Sequence, residues 1–523
     1  MHGTVFKKVS NYIMKNTDQK IIEVVLKGID DFNYFAHTEG TFPADLEYPL
    51  DSEVIDSLKG LKSKDEGEYA IFKEVDKIMS LWKTLIKKSI ICLRYFDSRE
   101  PFLSNPNKKP QAYGVEKLDE YFEKYASFEE LLYGGSKYYR DHLVHSFRVW
   151  LLGVEQLIKD KCKYLKEIKV TEGNNERALE KISIWTIIAL THDLGYPLEK
   201  AIEIVDKTKD MMKSFVVDPV VSMDLSFTGV QNSMNDYVLR FISSKMLKSS
   251  EISGASVKDE GETEDKAIKK EYVARLQPKY YFKFQKSLEQ KDHGIISALI
   301  IYKLLIYFLE SDYSVNEDYY FGEEDRRQFY IRREILRAIA SHTCRDIYQQ
   351  NAFNFSFLLI LCDDAQEWGR KYLSELYVNK GEEYEYRGIE LITNTEKIDG
   401  KDKELLECKF SDKYVLEEKT SIEYVLSRFD RQSKTYRDIF RDGQDTMNRN
   451  FNFIRQLKID INNSPKVEYT VTLSVSVNER TNISVKCEDD KPVKTNEDFY
   501  NAFEKVFKGA TLSDDSKTLN YLL

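Results

Sequence analysis

The segment "KISIWTIIALTHDLGYP", residues 181–197, decides how the chain is read. Its first part, "KISIWTIIAL", is nearly all apolar and lacks strand-like alternation, which predicts a buried helix. Gly195 then supplies a stop, and Pro197 can open the next helix. His192 and Asp193 therefore fall at the end of a buried helix, where short polar side chains can turn inward. An ionisable pair is costly there unless something partners it.

The same pattern recurs on both sides of this segment. Upstream, "YYRDHLVHSFRVWLLGVEQLIK" (138–159) keeps Leu143, Phe147, Trp150, Leu151 and Val154 on one broad face, which is helical spacing, and carries His142 and His145. Downstream, "KDHGIISALIIYKLLIYFL" (291–309) predicts a buried helix with His293 at its start, and "RREILRAIASHT" (332–343) another with His342 at its end. "FSFLLILCDDAQEWGRKYL" (355–373) predicts a third, with the acidic pair Asp363 and Asp364 at mid-helix. Five of the seven histidines thus hang from helices that have their own apolar reason to be buried. A single buried histidine is ordinarily a satisfied core residue. Four histidines and two aspartates recurring this way point instead to a metal, and imidazole with carboxylate suits Mn, Fe, Zn, Ni or Mg better than copper or a thiolate-bound cluster.

The organisation predicted is mainly α. Residues 1–135 read as a helical extension with amphipathic stretches near 18–34, 69–97 and 115–133, serving as a cap or as a separate docking unit. Residues 136–376 read as the helical core, interrupted at about 249–271 by "SSEISGASVKDEGETEDKAIKKE", whose polarity predicts a mobile insertion. From 377 to 523 the period changes to strand-like alternation, clearest in "VEYTVTLSVSV" (467–477), with helices interleaved at about 420–456 and 496–507. This predicts an α+β domain with an antiparallel sheet and no catalytic motif of its own.

Composition narrows the function classes. The chain has 523 residues, 42% hydrophobic and 13% aromatic, enough for a packed core. Its net charge of -10 disfavours a general nucleic-acid coat while leaving room for a local basic pocket and a short nucleic acid. Six scattered cysteines without a C-x-x-C pair exclude a zinc ribbon and predict reduced thiols. No run approaches the roughly 18 apolar residues of a membrane span, so a soluble, cytoplasmic protein without a membrane partner is expected. A homo-oligomer is left open.

The order of these residues resembles the HD-domain metal-dependent phosphohydrolase superfamily, whose pattern is H…HD…H…H…D on a helical bundle. The resemblance covers roughly residues 137–370, and its local strings are "HSFRV", "ALTHDLGYP", "DHGIISA", "AIASHT" and "LLILCDD". The contiguous "HDLGYP" is not the signature of the cyclic-dinucleotide subfamily, in which Gly-Tyr-Pro lies far downstream of His-Asp. The resemblance implies an HD-type bundle in which His145, His192, Asp193 and Asp363 hold one metal and Asp193 bridges to a second on His293 and His342. Asp363 is favoured over Asp364 because it directly follows a small residue, Cys362. The implied activity is hydrolysis of a nucleotide or phosphodiester, of the cyclic nucleotide or oligonucleotide class, by a hydroxide activated between two metals. His142, one turn before His145, is then a non-ligand able to protonate the leaving oxygen, with Asp193 as the other catalytic residue. Lys137, Arg140, Arg337 and Arg345 are the candidate phosphate contacts, with Arg333 one turn before Arg337. Two other readings stand beside this one. One is a one-metal deoxynucleoside triphosphate triphosphohydrolase or nucleotidase in which His293 and His342 touch substrate, and the other is a nucleotide-sensing module without turnover.

Overall fold

A computed structural model describes residues 17–29, 46–61, 70–97, 111–135, 141–159, 176–215, 230–248, 272–310, 320–347, 354–370, 382–398, 401–416, 419–440, 451–462, 466–475 and 481–522. The insertion read at 249–271 lies outside the described residues, as do Lys137 and Arg140.

Residues 17–29 form helix α1. It is followed by α2 (Ser52–Gly60), α3 (Ala70–Tyr95), α4 (Val115–Gly135), α5 (Leu143–Lys159), α6 (Glu176–Thr191), α7 (Tyr196–Met212) and α8 (Val230–Ile242). A hairpin of β1 (Ser244–Lys248) and β2 (Tyr272–Leu276) comes next, then α9 (Pro278–Glu289), α10 (His293–Leu304), α11 (Ile306–Leu309), β3 (Tyr320–Phe321), α12 (Glu323–Ser341) and α13 (Phe355–Ala365). The short strands β1, β2 and β3 make a small antiparallel sheet inside what reads, from sequence, as helices alone.

Helix α5 is buried from Leu143 to Ile158, on every side and not only on the face that its spacing predicts. It lies against α6, where the Trp150 indole donates to Thr186 Oγ1 at 2.9 Å and the Trp185 indole donates to the Trp150 carbonyl at 3.0 Å. In α6, Ile182, Ile184, Trp185, Ile187, Ile188 and Leu190 are all 1% exposed or less. At about 2 kcal/mol per large apolar side chain, that burial amounts to on the order of 10 kcal/mol. The sum outweighs the cost of carrying a polar turn into the core at the helix's end. The amino-terminal helices reach the same turn: the Trp82 indole of α3 donates to the Leu190 carbonyl at 2.8 Å, and the Tyr121 hydroxyl of α4 donates to the Leu194 carbonyl at 2.7 Å. Among the described residues no helix is long and apolar enough to cross a membrane.

After α13 come β4 (Glu382–Ile398), β5 (Lys401–Leu416), α14 (Lys419–Phe440), β6 (Phe451–Ile461), β7 (Val467–Val475), β8 (Asn482–Cys487), α15 (Glu497–Val506), β9 (Thr511–Leu512) and β10 (Thr518–Leu522). They form a mixed sheet in the order β4-β5-β6-β7-β8-β10-β9. Most neighbours pair antiparallel, as alternation predicts, but β5 and β6 run parallel because α14 crosses between them. The helix expected to 456 ends at Phe440, and strand β6 begins at Phe451. Alternate residues of β7 are buried, and one sheet face packs on α14 and α15 through Tyr436 on Phe453 and Tyr469 on Phe499, with ring centroids 4.1 and 3.8 Å apart.

Candidate metal centre

The turn after α6 places Asp193 where four helices bring imidazoles. Its Oδ1 lies 3.3 Å from His293 Nε2 and 3.5 Å from His342 Nε2, and its Oδ2 lies 3.3 Å from His192 Nε2 and 3.8 Å from His145 Nε2. His145 Nε2 is in turn 2.8 Å from Asp363 Oδ1. These residues come from α5, the α6–α7 turn, the start of α10, the end of α12 and the last turn of α13. Their potential ligand atoms fall into two groups sharing Asp193: His145, His192 and Asp193, and Asp193, His293 and His342.

The outer nitrogen of each ring explains why the inner one faces Asp193. His192 Nδ1 donates to the Ala189 carbonyl at 2.8 Å, and His342 Nδ1 to the Ile339 carbonyl at 2.6 Å. Gln366 Oε1 accepts from His145 Nδ1 at 2.6 Å, and Glu199 Oε2 accepts from His293 Nδ1 at 2.7 Å. Oxygen partners of these kinds take a proton-bearing nitrogen, so in the neutral form of each imidazole Nε2 turns its lone pair inward. Glu199 also accepts the backbone N–H of His293 at 3.0 Å, which ties the first residue of α10 to α7. Gly195 lets α10 come this close, since a Cβ there would run into the His293 carbonyl, and its N–H donates to Ser297 Oγ at 2.8 Å.

Electrostatics follow from a buried carboxylate ringed by imidazoles. Burial works to raise Asp193, but the charge of His192 first, and then the nearby His293 and His342 rings, hold it well below the usual carboxylate range. Burial works against the protonated form of His293 too, yet its bonds to Asp193 and Glu199 push it up to about 10. His145 is driven down to about 4, by burial first and by the Arg370 charge second. Burial likewise drives His142 down to about 3.

The remaining residues singled out from sequence are placed unevenly. His142 is buried beside the cluster, its ring stacked on Tyr196 with centroids 3.8 Å apart and 6.2 Å from the ring of His145. Asp363 faces His145. Asp364 turns the other way, and burial first, then the Asp363 charge, raises it to about 6. Both aspartates sit in the last turn of α13 rather than at mid-helix, because Ala365 ends the helix. Arg333 is not available to a substrate as its spacing suggests: it donates to the Ser244 carbonyl at 3.1 Å and pairs with Glu334 at 2.7 Å. Arg337 lies over the Tyr280 ring of α9 at 4.8 Å, and Arg345 is exposed after His342; neither is among the side chains gathered at Asp193.

Sequence reading missed Glu199, Gln366 and Arg370. Gln366 carries a signal, since three residues from Asp363 puts both on one side of a helical turn. Glu199 carries none, because its partner is 94 residues away. Arg370 follows Gly369, whose φ of +71° turns the chain after α13 in a region that favours glycine, and the Arg370 charge acts on Asp141, His142, His145 and Tyr196.

The donor set fits divalent cations. Ligands about 2.1 Å from one ion stand about 3.0–3.4 Å from each other, close to the separations found here. His192 Nε2 and His342 Nε2 are buried with no hydrogen-bond partner in the protein. The helical core thus gathers a cluster able to hold metal. No family model, curated protein or solved structure matches the chain.

Proposed function

We propose that the chain is a divalent-metal-dependent phosphohydrolase of the HD type, cutting a phosphoester or phosphoanhydride bond in a nucleotide or phosphodiester. The observation that carries this reading is the orientation of the cluster: four imidazoles bond outward through Nδ1, and both oxygens of one buried aspartate meet their inner nitrogens. His145, His192, Asp193 and Asp363 would hold one cation, and Asp193, His293 and His342 a second. Cations held there would supply Lewis acidity to a phosphoryl oxygen and acidify the attacking water. The second group, built on Asp193, His293 and His342, supports two ions over one.

The protein's own groups have separable tasks. Gln366 and Glu199 fix the rings of His145 and His293. Arg370, whose charge reaches His142, His145 and Tyr196, is the guanidinium best placed to hold a phosphate oxygen. His142 at about 3 is neutral, and charging it at pH 7 costs on the order of 5 kcal/mol. It therefore serves the leaving oxygen as an N–H hydrogen-bond donor and not as a full acid. The buried free thiols of Cys92, Cys344, Cys362, Cys408 and Cys487 support a reducing compartment such as the cytoplasm.

The test is hydrolysis of a bis-aryl phosphate by the full chain with Mn²⁺ added. Turnover by wild type that disappears in His192→Ala and Asp193→Ala supports the reading. Nucleotide binding without turnover of any phosphoester offered replaces it with a sensor.

A further inference from the structure

The last turn of α13 and the residues just after it have two faces. Asp363 and Gln366 face the helical core and grip the two nitrogens of His145, at 2.8 and 2.6 Å. The residues between and after them are gripped from the opposite side by the carboxy-terminal α+β region. The Tyr384 hydroxyl of β4 donates to the Ala365 carbonyl at 3.1 Å, and Gln432 Nε2 of α14 donates to the Asp364 carbonyl at 3.5 Å. Arg428 of α14 pairs with the buried carboxylate of Glu367.

A helix end leaves its last carbonyls without intrahelical partners, and such a turn frays unless donors reach it from outside. Here the donors come from a region with no residue in the metal cluster. Gln432 is itself fixed, because it accepts from the buried guanidinium of Arg455, which also donates to Asp412 at 3.1 Å. A continuous set of polar contacts therefore runs from β5 and β6 through α14 to the turn that carries Asp363.

From this geometry we propose that the carboxy-terminal α+β region is a working part of the metal centre: Tyr384, Arg428 and Gln432 are positioning residues that hold Asp363 and Gln366 against His145. The inference rests on the metal reading above and narrows it, because only the ion on the Asp363 side depends on this turn. The ion on Asp193, His293 and His342 does not.

The experiment is a calorimetric Mn²⁺ titration of the full chain. Asp363→Ala identifies which binding step belongs to the Asp363 side. Tyr384→Phe combined with Arg428→Gln weakens that step about tenfold, the scale on which the supports of metal ligands act, and leaves the other step within about twofold of wild type. Should the double variant fold poorly, Tyr384→Phe alone shows the same selective loss at smaller size. Tyr469→Phe is the matched control: it loses a hydroxyl bond of 3.1 Å to the Val493 carbonyl in the same sheet, away from α13. Unchanged steps in the variants, or equal weakening of both steps as general loosening would give, overturn the inference while wild-type uptake leaves the metal reading standing. A folded wild type that takes up no Mn²⁺ overturns both.

Discussion

Two groups of buried ionisable side chains lie on opposite sides of α13, and they are built on different plans. On the sheet side Arg455 and Asp412, 3% and 1% exposed, pair directly at 3.1 Å, and the guanidinium lies 4.8 and 5.1 Å from the rings of Phe410 and Phe429. Donor faces acceptor, and the charges cancel inside the protein. Around Asp193 four imidazoles bond outward through Nδ1 to Ala189, Ile339, Gln366 and Glu199, and their Nε2 atoms converge on carboxylates. Burial of charge is common to both, so it cannot be what marks a site. What differs is what converges: one group sets a guanidinium against a carboxylate, and the other turns four ring nitrogens, a ligand type for cations, onto carboxylates.

The comparison breaks most visibly at Asp193. Asp193→Ala removes the carboxylate common to both ligand groups, and phosphodiester turnover falls roughly ten-thousand-fold, more than 5 kcal/mol in transition-state stabilisation. A steady-state assay on the wild type and the variant measures it. On the other side, Asp412→Asn leaves Arg455 buried without its counter-charge and costs about 3 kcal/mol of stability in urea unfolding, while the Mn²⁺ step on Asp193, His293 and His342 is unchanged. A variant that lost metal and kept its stability would invert the assignment of the two groups.

Metal itself sharpens the contrast. Mn²⁺ at about a hundred times its dissociation constant stabilises the wild type by about 2.7 kcal/mol for each ion held, seen as a higher unfolding midpoint, and does nothing for Asp193→Ala. The smallest expected effect belongs to Arg370. Arg370→Gln removes one charge-assisted contact to substrate, about 1.5 kcal/mol, so KM rises about tenfold while kcat and Mn²⁺ affinity hold. An unchanged KM removes Arg370 from the substrate site.

What was legible in the sequence was whatever local periodicity carries. His145, His192, His293 and His342 stand out because each begins, ends or interrupts an apolar helix, and those helices form, although the run expected over 291–309 divides at Leu305 into α10 and α11. What failed to show depends on distance along the chain or on packing. The place of Arg333 one turn before Arg337 suggests a phosphate contact, but spacing says nothing of the Ser244 carbonyl, which arrives on a hairpin whose strands are separated by residues 249–271. The amphipathic reading of α5 missed that its polar face is covered as well, with Glu155 and Gln156 buried among neighbours. Alternation located strands β4 to β8 of the carboxy-terminal sheet, but not β9 and β10, nor the parallel β5–β6 pair, whose direction is set by the crossover through α14. Glu199, in the first helical turn of α7, and Arg370, just after α13, reach the centre through the way their elements pack, which spacing does not encode.

Elemental analysis of the desalted full chain after incubation with Mn²⁺, read beside circular dichroism, decides whether the Asp193 cluster holds metal. The account predicts two ions per wild-type chain and none in an Asp193→Ala chain of the same helical content. A folded wild type that retains no more manganese than Asp193→Ala contradicts it.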